Sequence, residues 1–385
     1  MKKLFSIGLF FLFVFLVSEF IFSKKNIIPG IEQISDYSKH LLSKNIAIVS
    51  NHSSVVKGQH IIDILDKMNI NVLKIFTPEH GFSGSYDAGK LVNDSLYLNK
   101  IPIISLYGKN KKPNKKDLKD IEILLFDLQD IGVRFYTYIS TLHFVMEACA
   151  ENDIPILILD RPNPNVDYID GPILKNEFNS FVGLHPVPIV YGMTILEYAN
   201  MINGEYWLSD SVQCEIIFQK ILNYNRNSKY ILPIKPSPNL PNYNSIRNYP
   251  SLALFEGTDI SVGRGTNLQF QIFGSPKLEN YKFNFIPSQN YGCLNPKHAN
   301  QICYGIDLRN NTIESNINLN FLIDTYNQYK ANKLMFFNSY FNKLVGNDKL
   351  KDQIEKGFSA DEIRKSWEKD LINFKKIRKK YLLYD

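Results

Sequence analysis

Glu122-Ile123-Leu124-Leu125-Phe126-Asp127-Leu128-Gln129-Asp130 sets an apolar run against a compact polar cluster at its carboxyl end. A strand buried on both faces has no polar side to alternate with, so this run reads as an inner strand of a parallel sheet. The arrangement recurs four times in the first half of the chain. Residues 45–50 lead to Asn51-His52, 72–77 to Pro78-Glu79-His80-Gly81, 101–106 to Tyr107-Gly108, and 154–159 to Asp160-Arg161-Pro162-Asn163-Pro164. Open parallel sheets bind ligands at the carboxyl ends of their strands. The five clusters are therefore expected to converge on one crevice, with Glu79, Asp130 and Arg161 lining it together.

Helical spacing over residues 59–68, 117–120, 141–151 and 194–203 falls between these runs and gives a βαβ series, an α/β fold class. A lead-in helix is expected over 30–43, and further strands over 187–191 and 214–220. With 385 residues the chain exceeds what one core usually supports, so two domains are expected. The boundary is set near residue 231, because Pro233, Pro236, Pro238 and Pro241 then interrupt the chain and strict alternation stops. Residues 24–231 would form the first domain and 232–385 the second, whose tail reads as helices over 321–329, 334–344 and 360–381.

Residues 1–23 read as a secretory signal. Lys2 and Lys3 precede an apolar stretch interrupted by Ser18 and Glu19, and Ser23 offers a small residue for cleavage. The stretch falls short of the roughly 20 apolar residues of a comfortable membrane span. The expectation is a periplasmic or secreted protein, in contact with a membrane only if this segment is retained. Four cysteines permit disulfides in such a compartment. Cys293 and Cys303 are near enough to close a small loop, and Cys149 reads as a buried apolar thiol; no spacing suggests a zinc site. There is no Walker loop and no GxGxxG after the first strand, so neither a nucleotide cofactor nor a metal is expected. The basic run Lys375, Lys376, Arg378, Lys379, Lys380 is interleaved with Ile377 and Tyr381, the mark of a solvated face on a packed helix rather than a nucleic-acid site.

Glu79, between Pro78 and His80-Gly81, is the leading candidate for chemistry. A carboxyl group in a partly apolar cleft can act as a general acid near neutral pH; the plainer role is an ion pair with a neighbouring arginine. Asp127 and Asp130 flank Gln129, and one of them is expected to enter the crevice unless it caps the next helix. Asn51 and His52 can hydrogen-bond substrate hydroxyl or amide groups. Arg134-Phe135-Tyr136-Thr137-Tyr138 mixes a cation, aromatics and hydroxyls as carbohydrate sites do, although the aromatics could pack in the core while Arg134 pairs with an aspartate. Two prolines make the loop displaying Arg161 and Asn163 rigid. Phe255-Glu256-Gly257-Thr258 and Gly263-Arg264-Gly265-Thr266 form a pair of motifs in which glycines allow close backbone approach to a ligand, or simply a hairpin turn.

Taken in order, Asn51-His52-Ser53, Pro78-Glu79-His80-Gly81-Phe82, Ser105-Leu106-Tyr107-Gly108, the Phe126 to Asp130 and Arg134 to Tyr138 segments, residues 160–164, Pro236-Ser237-Pro238-Asn239-Leu240-Pro241, and the two glycine-flanked motifs resemble the exo-β-N-acetylmuramidase family NamZ. The resemblance runs from about Ile46 to the C-terminal Tyr-Leu-Leu-Tyr. Ser53 stands where the pattern usually has Thr, and Gln269 where a Pro is usual. The resemblance implies a Rossmann-like catalytic domain with a smaller α+β domain and an active-site cleft between them. It implies release of terminal N-acetylmuramic acid from the non-reducing end of peptidoglycan fragments, with Glu79 as the catalytic carboxylate. Asp130, Asp127 and Glu256 are candidate partners in that order, assisted by His80. Substrate contacts are expected from Asn51, His52, Gln129, Arg134, Tyr136, Arg161, Asn163, Glu256 and Arg264. The lactyl carboxylate that marks this sugar would be gripped by Arg134, Arg161 or Arg264. A non-catalytic cell-wall sugar receptor, and a metal-dependent hydrolase using His52, Glu79, His80 and Asp130, are the rival readings.

Overall fold

A computed structural model describes residues 26–87, 95–98 and 100–385. The expected signal, residues 1–23, lies outside the described residues. In chain order the strands are β1 (Asn45–Val49), the short hairpin β2 (Val55–Val56) and β3 (Gln59–His60), β4 (Asn71–Thr77), β5 (Ser95–Tyr97), β6 (Ile101–Ser105), β7 (Ile123–Phe126), β8 (Ile156–Leu159), β9 (Ile216–Gln219), β10 (Ile272–Ser275), β11 (Phe283–Phe285) and β12 (Cys303–Asp307).

Seven of these make one sheet in the order β5-β6-β4-β1-β7-β8-β9, parallel throughout except for the antiparallel edge pair β5–β6. Successive side chains of a strand point to opposite faces, and here both faces are covered. Ala47, Val49, Leu124, Phe126, Ile156 and Ile158 join one apolar cluster, whereas their neighbours Ile46, Ile48, Ile123, Leu125, Leu157 and Leu159 join a second. That is why the sequence shows unbroken apolar runs instead of alternation. The second cluster is closed by helix Ile61–Lys67. On the other face lie helices Tyr138–Ala150 and Ile195–Gly204, the latter started by a capping box between Thr194 and Glu197.

The later part of the chain adds a three-stranded antiparallel sheet, β10-β12-β11, and helices Tyr243–Leu252, Asn320–Ala331, Phe341–Val345, Lys349–Glu355 and Ala360–Lys379. Phe255, Phe273, Phe341, Trp367 and Phe374 from this part share the apolar cluster that contains Val49 and Phe126. Helix Ala360–Lys379 buries Ile363, Trp367 and Phe374 and docks through Arg378, which donates to the Gly192 carbonyl. Among the described residues no helix is long and apolar enough to cross a membrane.

Several elements differ from expectation. The lead-in helix is broken into turns at Gly30–Glu32, Ile34–Tyr37 and Ser38–His40. Residues 117–120 form a turn, and 187–191 is not a strand of the sheet: Val190 makes isolated bridges to Val133 and Asp170. Within the stretch 334–344 helix begins only at Phe341, the first residue of Phe341–Val345. All four cysteines are free thiols, so Cys293 and Cys303 are unpaired; Cys149 is buried as expected.

Candidate active site

β4 ends at Thr77 and the chain turns at once, with the Gly81 amide donating to the Pro78 carbonyl at 3.1 Å and both His80 (φ 71°) and Gly81 (φ 68°) in the left-handed region. The turn sets Glu79 and His80 above the carboxyl edge of the sheet. Glu79 Oε2 accepts a 2.8 Å hydrogen bond from Thr137 Oγ1, just before helix Tyr138–Ala150. Tyr107, which follows the neighbouring strand β6, hydrogen-bonds the same carboxylate. Burial and the Glu79 charge both hold the Tyr107 phenol protonated. Two strand ends and the start of a helix thus meet at one carboxyl group.

His80 is buried, and its Nδ1 lies 2.6 Å from the Tyr86 carbonyl, which can only accept. Nδ1 therefore carries the proton. Burial pushes the His80 pKa down against the pull of Glu79, favouring the neutral ring, so Nε2 is an acceptor for the Ser237 hydroxyl at 3.2 Å. Ser237 belongs to the proline-rich loop that crosses from the later part of the chain. Tyr136 and Tyr138 also donate to that loop, at the Pro236 carbonyl.

The opposite wall is built from Glu256, at the end of the turn Ala253–Gly257, with Arg264, Tyr249, Phe270, Asn239 and Tyr340. Glu256 Oε1 accepts from Arg264 Nε at 2.5 Å, and the guanidinium lies 5.1 Å from the centre of the Phe270 ring. Burial opposes the charge on Arg264, but the Glu256 carboxylate outweighs it and holds the pKa above the ordinary arginine value. The Glu79 and Glu256 charges both act on Tyr249 and Tyr340, whose phenols burial keeps protonated. Asp87 completes the rim, accepting from the Leu294 amide at 2.8 Å. The cleft measures about 480 Å³, enough for a sugar ring and its substituents.

Of the residues expected here, Glu79, His80, Tyr136, Glu256 and Arg264 line the cleft, and the others are engaged elsewhere. Asp130 is 3% exposed beneath the wall, with Oδ2 accepting from the Gly132 amide and the Tyr191 hydroxyl; burial raises its pKa to about 6. Asp127 and Arg161 form a buried two-bond ion pair at 2.7 Å, and Arg161 also donates to the Ser53 carbonyl. The expectation that Glu79, Asp130 and Arg161 share one crevice is thus corrected. Arg134, fully buried, donates to the carbonyls of Pro172, Val187, Leu344 and Val345, a clamp between distant segments with no aspartate partner among the described residues. Gln129 donates to the Asp130 and Pro162 carbonyls, and Asn163 to the Met193 carbonyl. Asn51 donates to the Tyr138 hydroxyl, and His52 to the Lys235 carbonyl beneath Gly84.

Thr137, Tyr107 and Asn239, expected here only as members of their motifs, and Tyr249 and Tyr340, which the sequence does not single out, also line the cleft. The first three sit inside recurring motifs and could have been taken from them; Tyr249 and Tyr340 lie in helical and irregular segments without a distinguishing pattern. Among the described residues no three His, Cys, Asp or Glu side chains are gathered so as to hold a metal ion, and of the four proposed ligands of the metal reading Glu79 and His80 line the cleft while His52 and Asp130 do not.

Residues 46–244 match the family model for the N-terminal part of the exo-β-N-acetylmuramidase NamZ, and residues 247–384 the model for its C-terminal part. The peptidoglycan β-N-acetylmuramidase NamZ of Bacillus subtilis (strain 168) is 36% identical, the match covering 94% of this chain and 92% of that protein. Crystal structures of two DUF1343 family proteins from Bacteroides fragilis NCTC 9343 have the same fold. One is 46% identical with a TM-score of 0.86, covering 94% of this chain and 99% of that one. The other is 28% identical with a TM-score of 0.80, covering 93% and 99%.

Proposed function

The chain belongs to the NamZ family of exo-β-N-acetylmuramidases, and from that premise we propose that it is an exported glycoside hydrolase releasing terminal β-linked N-acetylmuramic acid from the non-reducing end of peptidoglycan fragments during cell-wall turnover. The observation that carries the reading is the Glu79 carboxyl group, held by Thr137 and Tyr107 at the base of a sugar-sized cleft. In this reading Glu79 protonates the glycosidic oxygen as the bond to the anomeric carbon breaks. The positive charge that develops on the sugar ring is met by Glu256 or by the substrate's own acetamido oxygen. Glu256 takes precedence over Asp130 and Asp127 as the partner, because it lines the cleft and neither aspartate does. Neutral His80 positions the Pro236-Ser237 loop over the same edge.

The test is turnover of a chromogenic N-acetylmuramic acid glycoside. Glu79→Gln keeps the side-chain shape but removes the transferable proton, so the folded variant is expected to bind the sugar and lose on the order of 10²-fold or more in kcat. A near wild-type rate would take Glu79 out of the mechanism. Wild-type protein that binds the glycoside without turnover would favour a receptor. Export is supported by the charged and apolar character of residues 2–23. Intact mass of the protein recovered from the cell envelope or the medium decides it, retention of residues 1–23 pointing to an anchored form.

A further inference from the structure

N-acetylmuramic acid differs from N-acetylglucosamine by a lactyl ether ending in a carboxylate, and the planar fork of a guanidinium is the side chain best matched to that group. Three arginines compete for the task by sequence, and their surroundings separate them. Arg134 spends both terminal nitrogens on backbone carbonyls and is sealed from solvent. Arg161 commits Nε and Nη2 to Asp127 and the Ser53 carbonyl and lies outside the cleft. Arg264 differs from both. It lines the cleft, its side chain is 19% exposed, and it donates one hydrogen bond, from Nε to Glu256. Its two terminal nitrogens have no hydrogen-bond partner among the described residues.

We infer that this terminal edge of Arg264 is the subsite for the lactyl carboxylate, an inference that rests on the glycosidase reading above. Glu256 fixes the plane of the guanidinium by occupying Nε, and Phe270 supports its face. The two terminal NH2 groups are left at the end of a rigid fork, one N–H from each giving the geometry of a bidentate carboxylate contact. Room exists for the substituent: a second cavity of about 200 Å³ is lined by Glu256, Arg264, Cys293 and Asn295, all of which also line the cleft. Lys297 borders this cavity but is already committed to the carbonyls of Phe255, Thr258 and Ile260, so it does not compete for the anion. The surrounding Asp87 and Glu256 make the cleft inhospitable to a carboxylate placed anywhere except against Arg264. Selectivity then depends on where the anion sits as well as on its charge. A sugar lacking the group leaves a desolvated donor edge unmatched, which amounts to roughly 10²-fold discrimination.

Three chromogenic glycosides test this: N-acetylmuramic acid, its lactyl amide, and N-acetylglucosamine. Wild type is expected to favour the first over both others by about 10²-fold in kcat/KM. Arg264→Ala is expected to lose activity on the first and to cut its preference over N-acetylglucosamine at least tenfold. Because the amide comparison uses the wild-type protein, it holds even if the variant fails to fold. Wild type that cleaves acid and amide equally well, or a folded variant that keeps the wild-type preference, overturns the inference and leaves the glycosidase reading standing. A wild type inactive on all three glycosides removes both.

Discussion

Arg134→Met is expected to destabilise the protein by about 2–4 kcal/mol while leaving its choice between sugars intact. The guanidinium serves four carbonyl oxygens. That of Val187 also accepts from the Leu174 amide, so its loss is tolerable. Those of Pro172, Leu344 and Val345 lose their donor, and a buried acceptor without a partner costs about 1–3 kcal/mol. Against this, methionine relieves the desolvation of a buried cation, the effect that lowers the Arg134 pKa to about 9 and that offsets several kcal/mol. The balance remains unfavourable and takes a large share of a stability of about 5–15 kcal/mol. Leu344 and Tyr340, beside the clamp, line the cleft, so kcat/KM falls on every substrate together. Urea unfolding followed by tryptophan fluorescence measures the first effect, and paired glycoside assays the second. A loss below about 1 kcal/mol, with the preference for N-acetylmuramic acid abolished, would refute the clamp and return Arg134 to the substrate.

Burial lifts Asp130 from an ordinary 3.8 to about 6 despite the hydrogen bonds from Tyr191 and Gly132. The folded protein therefore binds the additional proton between those values, so the contribution is present below pH 3.8 and lost as pH rises through 6. Asp130→Asn should gain about 3 kcal/mol on wild type across that interval and keep turnover within about tenfold; a stability difference independent of pH would contradict it. At Gly84, a Cβ would lie 1.9 Å from His52 Nδ1 on a backbone with φ 62°. Gly84→Ala is expected to cost roughly 1–3 kcal/mol, read as a fall in melting temperature, and an unchanged melting temperature would show that the His52 loop yields freely.

The sheet was legible because a strand with core on both faces must be apolar at every position, as Ile46 to Val49 and Ile123 to Phe126 are. Residues 187–191 are equally apolar, but Val190 is paired only through isolated bridges, and composition does not record whether a partner strand lies alongside. In the site, Glu79 was legible from its place at a strand end. The arginines were not: whether a guanidinium faces a ligand, an aspartate or a set of carbonyls depends on partners up to 211 residues away. Asp130 shows the same limit, since its place beneath the cleft wall is fixed by Tyr191 from another segment. Tyr340 was invisible because nothing near it in the chain marks an irregular segment as a cleft wall.

The cleft draws on Glu79, Thr137, Ser237, Glu256, Arg264 and Tyr340, positions scattered over most of the chain's length. Synthesis delivers them in that order, the acid long before the segment that closes over it. A partly made chain holds Glu79 without a walled cleft around it, and long-range contacts of this kind are also slow to form. Turnover therefore cannot begin before the segment carrying Tyr340 has been made and has met the Glu79 turn, so the cleft is among the last features of the fold to be completed.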